Sequence, residues 1–151
     1  MNARPSNLSA LDGLLRFKAL YDSLDRHTLS LTKLKEVYSD HIEFEDSLHR
    51  IEGIEAMHVY FQNMYENVER IEFQWQDQAF AEDAAFVCWI MRFQHPKLKG
   101  GREIAVSGVS HLHFAEGKLV SHRDYFDAGE MLYEHVPALG AVIRTIKKRV
   151  A

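Results

Sequence analysis

The chain has 151 residues, of which 46% are hydrophobic and 26% charged, and its formal net charge is −4 at pH 7. This composition is ordinary for one globular domain with a core, and the acidic balance argues against broad nucleic-acid binding, which needs a basic face. The single cysteine excludes a disulfide within the chain. No window has the length of a membrane span and the start has no signal-peptide core, so we expect a cytoplasmic protein.

Apolar residues at helical spacing predict three helices in the first half of the chain. The first is predicted over residues 9–25 and the second over 31–38, where Ser30 is a suitable N-cap. The third is predicted over 54–68, directly after the helix-breaking Gly53. The first and third helices carry an apolar stripe, so each of these two is expected to pack one face against a core.

Alternation of apolar and polar residues predicts strands between and after these helices. The segments are residues 41–46, residues 71–76, the doubly apolar run 84–93, and two strands within 101–127 that turn at Glu116-Gly117-Lys118. Helices that precede a run of strands predict an α+β domain, in which helices close a curved sheet into a cone. We expect one domain over 1–151, with the cone in 8–127 and a helical extension in 128–151.

The last helix is predicted to begin at Pro137, a residue that suits the first helical position. It has a basic face and an apolar stripe formed by Leu139, Val142, Ile143 and Ile146. We expect this stripe to cover the mouth of the cone or a partner subunit.

The hairpin within 101–127 has two faces of different character, because side chains alternate along a strand. One face is mostly apolar and is predicted to hold Ile104, Val106, Gly108, Ser110, Leu112, Phe114, Val120, His122, Asp124 and Phe126. His111 and His113 fall on the opposite face, and no third ligand accompanies them at a recognisable spacing, so a metal site is not favoured. A histidine and an aspartate are therefore predicted to project into the cone.

These elements, with Phe44-Glu45-Asp46 ending the first strand, Gly53 before the third helix and the hairpin sequence 110–120, resemble the nuclear transport factor 2-like superfamily. The closest likeness is to its ketosteroid isomerase-like and SnoaL-like (polyketide cyclase) branch, and it covers nearly the whole chain. The resemblance implies a cystatin-like roll with N-terminal helices on the concave face of a mostly antiparallel sheet, and a homodimer. It leaves function open, because the superfamily contains enzymes, binding proteins and catalytically silent members.

The resemblance to the steroid isomerases is incomplete at their catalytic positions. Asp46 falls where they place the proton-shuttling base. Their oxyanion-stabilising tyrosine falls at Phe17 and their second oxyanion donor at Ser110. Loss of one such donor costs about 10²–10³ in rate, so steroid isomerisation by the same mechanism is disfavoured unless Tyr21 or Tyr60 substitutes.

The resemblance to the cyclases and epoxide hydrolases points to the last strand, where those enzymes carry an acid or base aspartate. The matching residue is Asp124, with Asp127 as the less favoured alignment, and Arg123 replaces the usual preceding tryptophan. His122 lies two residues from Asp124 on the same face and is placed to hydrogen-bond it.

The predicted catalytic set is Asp124, Asp46 and His122, without a cofactor or a metal. Because burial and a neighbouring carboxylate both disfavour the ionised form, one aspartate is expected to act as acid and the other as base. Such a set suits an isomerase, a cyclase or an epoxide hydrolase acting on a small apolar or amphipathic molecule. The residues predicted to bind it are Ser110, Phe17, Tyr21, Tyr60, Phe61, Trp75, Trp89, Leu112 and Phe126.

Structural roles for the same residues stay open from sequence alone. Asp46 is also suited to capping the turn before Ser47, and an ion pair with Arg92 or Arg123 would make Asp124 structural. The competing hypothesis is accordingly a non-catalytic small-ligand-binding or protein-interaction module of the same fold.

Overall fold

A computed structural model describes residues 6–151 of the chain, with side chains from residue 9 onward. The helices are α1 (Ser6–Ser23), α2 (Leu31–Lys35), α3 (Ile54–Asn67), α4 (Ala128–Met131) and α5 (Leu139–Val150). The strands are β1 (Tyr38–Glu45), β2 (Arg50–Glu52), β3 (Arg70–Ala81), β4 (Ala84–Gln94), β5 (Ile104–Ala115) and β6 (Lys118–Phe126). Over the residues described, none of the helices combines the length and apolar composition that crossing a bilayer requires.

The six strands form one curved sheet in the order β2-β1-β6-β5-β4-β3. Every neighbouring pair is antiparallel except β1 and β6, which run parallel. Because β3, β4, β5 and β6 follow one another in the chain, they pair as a meander, and β1 then adds beside β6. The predicted α+β architecture, with helices on one face of a mostly antiparallel sheet, is confirmed.

The core lies between the sheet and helices α1 and α3. Helix α1 buries Leu14, Phe17 and Tyr21 of the apolar stripe that helical spacing predicted. Leu24, the fourth residue of that stripe, lies just beyond the end of α1 and is buried as well. Helix α3 buries Ile54, Met57, Phe61 and Tyr65. The inward-facing residues of β5 are buried opposite them, including Leu112 at 0% exposure. Burial of these faces is the main favourable contribution to the fold.

Tyr38 belongs to β1 and not to the second helix, which corrects the prediction of a helix over 31–38. Ser30 caps α2 as predicted, since its hydroxyl accepts a hydrogen bond from the Lys33 N–H at 3.1 Å. The helix ends at Lys35, and Tyr38 then pairs with Leu119 in the sheet. Pairing with β6 buries Tyr38 to 1% exposure. Helix propensity is a local property and does not predict such a pairing.

The alternation predicted along β6 fails at its start. The pairing of β5 with β6 shifts register between His113 and Phe114, so β6 has one additional residue there. Leu119 is therefore the fully buried residue and Val120 is only half-buried, contrary to the prediction that Val120 faces the core. Beyond the shift, His122 faces the core as predicted, and the later residues of β6 keep their predicted faces.

Helix α5 begins at Leu139, so Pro137 precedes the helix and is not its first residue. Three residues of its apolar stripe remain open to solvent, with Leu139, Val142 and Ile146 at 44%, 54% and 54% exposure. The stripe does not cover the mouth of the cavity, which corrects one of the two alternatives predicted for it. The other alternative, a partner subunit, stays a prediction.

Candidate functional site

A cavity of about 460 Å³ opens between α3 and the concave face of the sheet. Its volume lies within the range of about 300–1,000 Å³ that is usual for small-molecule sites. Most of its wall is aromatic or aliphatic, and α3, β3, β4 and β6 supply the larger part. Asp46 and Asp124, which come from distant parts of the chain, both line it.

Asp124 is held at the cavity wall by two hydrogen bonds to the same carboxylate oxygen. Ser110 on β5 is paired with Asp124 on β6, and the Ser110 hydroxyl donates to Asp124 Oδ1 at 2.6 Å. His122 Nε2 lies 2.7 Å from the same oxygen. The side chain keeps 19% exposure, and no described residue donates a hydrogen bond to its Oδ2. Trp89 Nε1 donates to Ser110 Oγ at 2.9 Å and so fixes the serine as well.

A chain of buried hydroxyl groups continues from the far side of His122. Tyr38 Oη lies 2.9 Å from His122 Nδ1, and Tyr21 Oη lies 2.7 Å from Tyr38 Oη. A neutral imidazole with its proton on Nε2 satisfies every bond in the chain, because Tyr21 then donates to Tyr38, Tyr38 donates to Nδ1, and Nε2–H donates to Asp124. With this assignment all donors converge on the Asp124 carboxylate.

Burial favours the neutral hydroxyls that this arrangement needs. It raises the pKa of Tyr21 and the pKa of Tyr38 well above their ordinary value, and the charge of Asp124 raises both further. Both tyrosines therefore keep their protons at neutral pH and remain donors toward His122, whose own side chain is 1% exposed.

Asp46 stands directly after β1 and uses its two oxygens differently. Oδ1 accepts hydrogen bonds from the backbone N–H groups of Leu48 at 2.8 Å and His49 at 2.6 Å, so the carboxylate caps the turn. Oδ2 accepts from the Tyr60 hydroxyl at 3.1 Å. Asp46 therefore caps the turn, as the sequence suggested, and also lies at the cavity wall. The pKa of Tyr60 is raised above its ordinary value, first by burial and then by the charge of Asp46, with a smaller contribution from Asp124.

The arginines weighed as partners of Asp124 have other partners. Arg123 forms an ion pair with Glu45, and Arg92 lies 3.7 Å from Glu103. Asp124 therefore has no arginine partner among the residues described.

Asp127, the less favoured alignment, lies outside the cavity wall and caps α4, where it accepts from the N–H groups of Gly129 and Glu130. These backbone bonds, with the charge of Lys147, lower the pKa of Asp127.

The residues predicted to bind a ligand divide into two groups. Those at the cavity wall are Tyr21, Tyr60, Phe61, Trp89 and Phe126. Those away from the wall are Phe17, Ser110 and Leu112, which are buried in the core, and Trp75, whose Nε1–H donates to Asp22 at 2.9 Å. His122 also lies behind the wall, where it reaches the cavity only through Asp124. Ser110 and His122 thus support a wall residue and do not contact the open space themselves.

The two histidines of the outer sheet face are separate from this cavity. The ring of His111 stacks on Phe86 with 4.2 Å between centroids, and His113 is its neighbour at 4.6 Å. Within residues 6–151, no three histidine, cysteine, aspartate or glutamate side chains group closely enough to hold a metal ion.

Tyr38 is the site residue that sequence reasoning did not find. Its position at the end of a predicted helix concealed that its ring stacks parallel to His122, with 6.0 Å between centroids. A signal was present nonetheless, because tyrosine and the following alternation favour a strand that starts before residue 41.

Comparisons with known proteins agree with this fold. A sequence model described as the SnoaL-like domain matches residues 17–122, which is more than half of the chain and includes α3, most of the sheet and Ser110. The chain belongs to the SnoaL-like family. No curated protein matches the sequence of this SnoaL-like domain.

Solved structures share the fold of this SnoaL-like domain at low sequence identity. A protein of Jannaschia sp. CCS1 assigned as a SnoaL-like polyketide cyclase superposes with a TM-score of 0.74 at 17% identity, over 91% of this chain and 98% of that one. An LEH-like epoxide hydrolase of M. tuberculosis gives 0.67 at 15% identity, over 89% and 97%. A ketosteroid isomerase-like protein of Catenulispora acidiphila, in complex with trimethylamine, gives 0.70 at 13% identity, over 83% and 94%. At these identities the likeness establishes the fold alone.

Proposed function

We propose that this SnoaL-like domain binds a small apolar or amphipathic molecule in its cavity and acts on it by cofactor-free acid–base chemistry, with Asp124 as the principal proton acceptor. The observation that carries the proposal is the Asp124 carboxylate. It stands at the wall of an apolar cavity, its Oδ1 is fixed by Ser110 and His122, and none of the described residues donates to its Oδ2. A base must reach its proton directly, and Oδ2 is the oxygen left for that contact.

The reaction classes that suit this base are an isomerisation, a ring closure or an epoxide hydrolysis. In the first two, Asp124 takes a proton from carbon beside a carbonyl group, and the bonding electrons move onto the carbonyl oxygen. The proton then returns to another carbon, or the carbanion attacks a second carbonyl carbon of the same molecule and closes a ring. In the ring closure the π electrons of that second carbonyl move onto its oxygen, which takes the proton back from Asp124. In the third, Asp124 takes a proton from water, whose oxygen attacks the epoxide carbon while the C–O bond breaks and a second acid protonates the released oxygen.

The supporting groups have distinct roles in this proposal. His122 and Ser110 orient the Asp124 carboxylate and stabilise its charge by hydrogen bonding, and Tyr38 holds the His122 tautomer. Asp46 and Tyr60 form a second polar group, in which the Tyr60 hydroxyl is a candidate donor to a developing oxyanion. A homodimer and a cytoplasmic location remain part of the proposal as predictions.

A non-catalytic small-molecule binding module is the second candidate, and the turn at Asp46 favours it. Three hydrogen bonds already engage this carboxylate, two of them from backbone N–H groups that it must cap. The trimethylamine complex of the Catenulispora protein supports small-molecule binding by this fold without indicating a reaction. The open cavity counts against a third possibility, a protein-interaction module with a filled cone.

The proton abstraction can be tested without the natural substrate, using 5-nitrobenzisoxazole. A base removes its C3 proton, the C–H electrons form the C≡N bond, the N–O bond breaks, and a coloured phenolate is released. We expect saturable turnover that falls by about 10²-fold in Asp124→Asn, a loss typical of removing a general base. Asparagine Oδ1 still accepts from Ser110 and His122, so the melting temperature should change little.

Asp127→Asn is the matched control, because it removes an exposed carboxylate three residues away and asparagine still caps a helix. It should keep the rate of the unmodified protein. Equal rates in Asp124→Asn and Asp127→Asn would reject the catalytic role of Asp124 and favour the binding module.

A further inference from the structure

The cavity wall has an unusual balance of charge for a protein with 18 lysine and arginine residues. Two carboxylates, Asp46 and Asp124, line it, and no lysine or arginine does so among the described residues. Of the wall residues that the structure describes, His49 alone has a basic side chain, which is 47% exposed and lies 3.3 Å from Asp46. A space lined by one sign of charge with low-dielectric walls concentrates ligands of the opposite sign.

No lysine or arginine is bonded to either carboxylate among the described residues. Asp124 receives its bonds from the Ser110 hydroxyl and the His122 imidazole. Asp46 receives two backbone N–H groups and one phenol. Arg123, which lies on the outer face of the sheet, is paired with Glu45. A cation in the cavity would be the natural partner for this charge.

Aromatic rings provide a second feature that favours a cation. Nine aromatic residues line the cavity in the part of the chain that the structure describes, and three of them form a mutual cluster beside Asp46. The ring centroids of Phe44, Tyr60 and Phe61 lie 5.6, 5.7 and 6.2 Å apart in pairs, and the hydroxyl of Tyr60 is bonded to Asp46. The faces of aromatic rings attract organic cations, and desolvation strengthens the attraction.

We infer that the ligand of this cavity carries an organic cation, a protonated amine or a quaternary ammonium group, on an apolar body. This inference names a ligand class for the proposed function and rests on the binding part of that proposal. Anionic molecules are excluded by the same argument, because no described lysine or arginine at the wall would offset their charge. The cationic group lies among the aromatic rings and the two carboxylates, and the apolar body fills the remaining space.

Three probes of matched shape test the inference: benzyltrimethylammonium, its neutral carbon isostere neopentylbenzene, and the anion phenylmethanesulfonate. Binding is followed by tryptophan fluorescence, since Trp89 lines the cavity. We expect the ammonium probe to bind about tenfold more tightly than the neutral isostere, and the anion to show no binding. Asp124→Asn should reduce the ratio of the two affinities, whereas Asp127→Asn, the exposed control, should leave it unchanged.

The other outcomes show whether this inference fails alone or together with the proposed function. If the neutral isostere binds as tightly as the ammonium probe, or the anion binds, the charge preference is wrong, although the cavity still takes small molecules. If the ratio falls equally in both variants, the preference comes from the overall charge and not from the cavity, and the inference fails. If no probe binds, the small-molecule function and the inference are both wrong.

Discussion

Hydrogen bonding around Asp124 converges from two directions, and each direction begins at a cavity-lining aromatic residue. On one side Trp89 donates to Ser110, and on the other side Tyr21 leads through Tyr38 to His122. Such networks polarise along their length and rigidify the group at their end. The carboxylate is therefore preorganised before a ligand enters, which is what a positioned base requires.

Tyr38 is the residue whose removal tests this network. Tyr38→Phe should lower the free energy of unfolding by about 1–3 kcal/mol, because His122 Nδ1 and the Tyr21 hydroxyl lose a buried partner. It should also shift the His122 tautomer, a change that 15N NMR detects and that a purely packing role of Tyr38 would not cause. Urea denaturation measures the first effect. Tyr133→Phe, at a tyrosine with 38% exposure, is the control and should alter neither quantity.

The sequence allowed us to predict which face of the sheet these residues occupy, because strand alternation depends only on neighbours in the chain. It predicted that Ser110, His122 and Asp124 share one face, and they do. The role of Tyr38 could not be predicted from the sequence, since it depends on the parallel pairing of β1 with β6. This pairing brings together Tyr38 and His122, which are 84 positions apart. Likewise, nothing local indicated that the Tyr60 hydroxyl would reach Asp46.

At the scale of elements, the contact between β4 and β5 brings an indole ring over a glycine. Trp89 pairs with Gly108, and a Cβ atom at position 108 would collide with the Trp89 ring. The absence of a side chain there allows the indole to lie flat across β5 and its Nε1 to reach Ser110. The glycine is thus a structural requirement of the site.

Gly108→Ala should therefore displace the indole and break its hydrogen bond to Ser110. We expect a loss of about 1–3 kcal/mol in the free energy of unfolding, as for other overpacked cores, and a shift of the tryptophan emission. Ala105→Ser, on the same strand at an exposed position, serves as the control. Unchanged stability and emission in Gly108→Ala would show that the ring has room to move.

Predictions of elements were accurate where periodicity was long and failed where pairing interrupted it. The α1 stripe and the hairpin turn were predicted correctly, since each is a local pattern. The strand β2, of three residues, is too short to show alternation and was missed. The shift between β5 and β6 moved Leu119 into the core in place of Val120, because a bulge depends on the partner strand.

At the scale of the whole molecule, the hydrophobic surface divides into a packed core and an open stripe on α5. Leu112→Ala should destabilise the domain by about 2–5 kcal/mol, since Leu112 is 0% exposed. In a single copy of the chain 54% of Val142 is exposed, so at a protein concentration low enough to keep the copies apart Val142→Ala should change the free energy of unfolding by less than about 0.5 kcal/mol. Chemical denaturation at two protein concentrations measures both. A large, concentration-dependent loss in Val142→Ala would instead mean that a second copy covers the stripe.

The fold of the whole chain followed from element order and from the resemblance to the nuclear transport factor 2-like superfamily, and the family match agrees. The function of the chain could not be predicted from the element order and the resemblance. The fold supplies a cone and a wall position for an aspartate, while the ligand is selected by the particular side chains at that wall. The two carboxylates and the aromatic rings at that wall therefore determine the ligand preference of this protein.

The proposed chemistry depends on the access of a bound ligand to Asp124 Oδ2. A crystal structure with 5-nitrobenzotriazole tests this access at a pH low enough for the triazole to stay neutral, because this unreactive analogue of the benzisoxazole probe carries an N–H group where the probe carries its reacting C–H. We expect the bicyclic ring within the cavity and its N–H within about 3.2 Å of Asp124 Oδ2, a normal hydrogen-bond distance. A ligand bound elsewhere, or one in the cavity whose N–H avoids Asp124, would show that Oδ2 is not accessible.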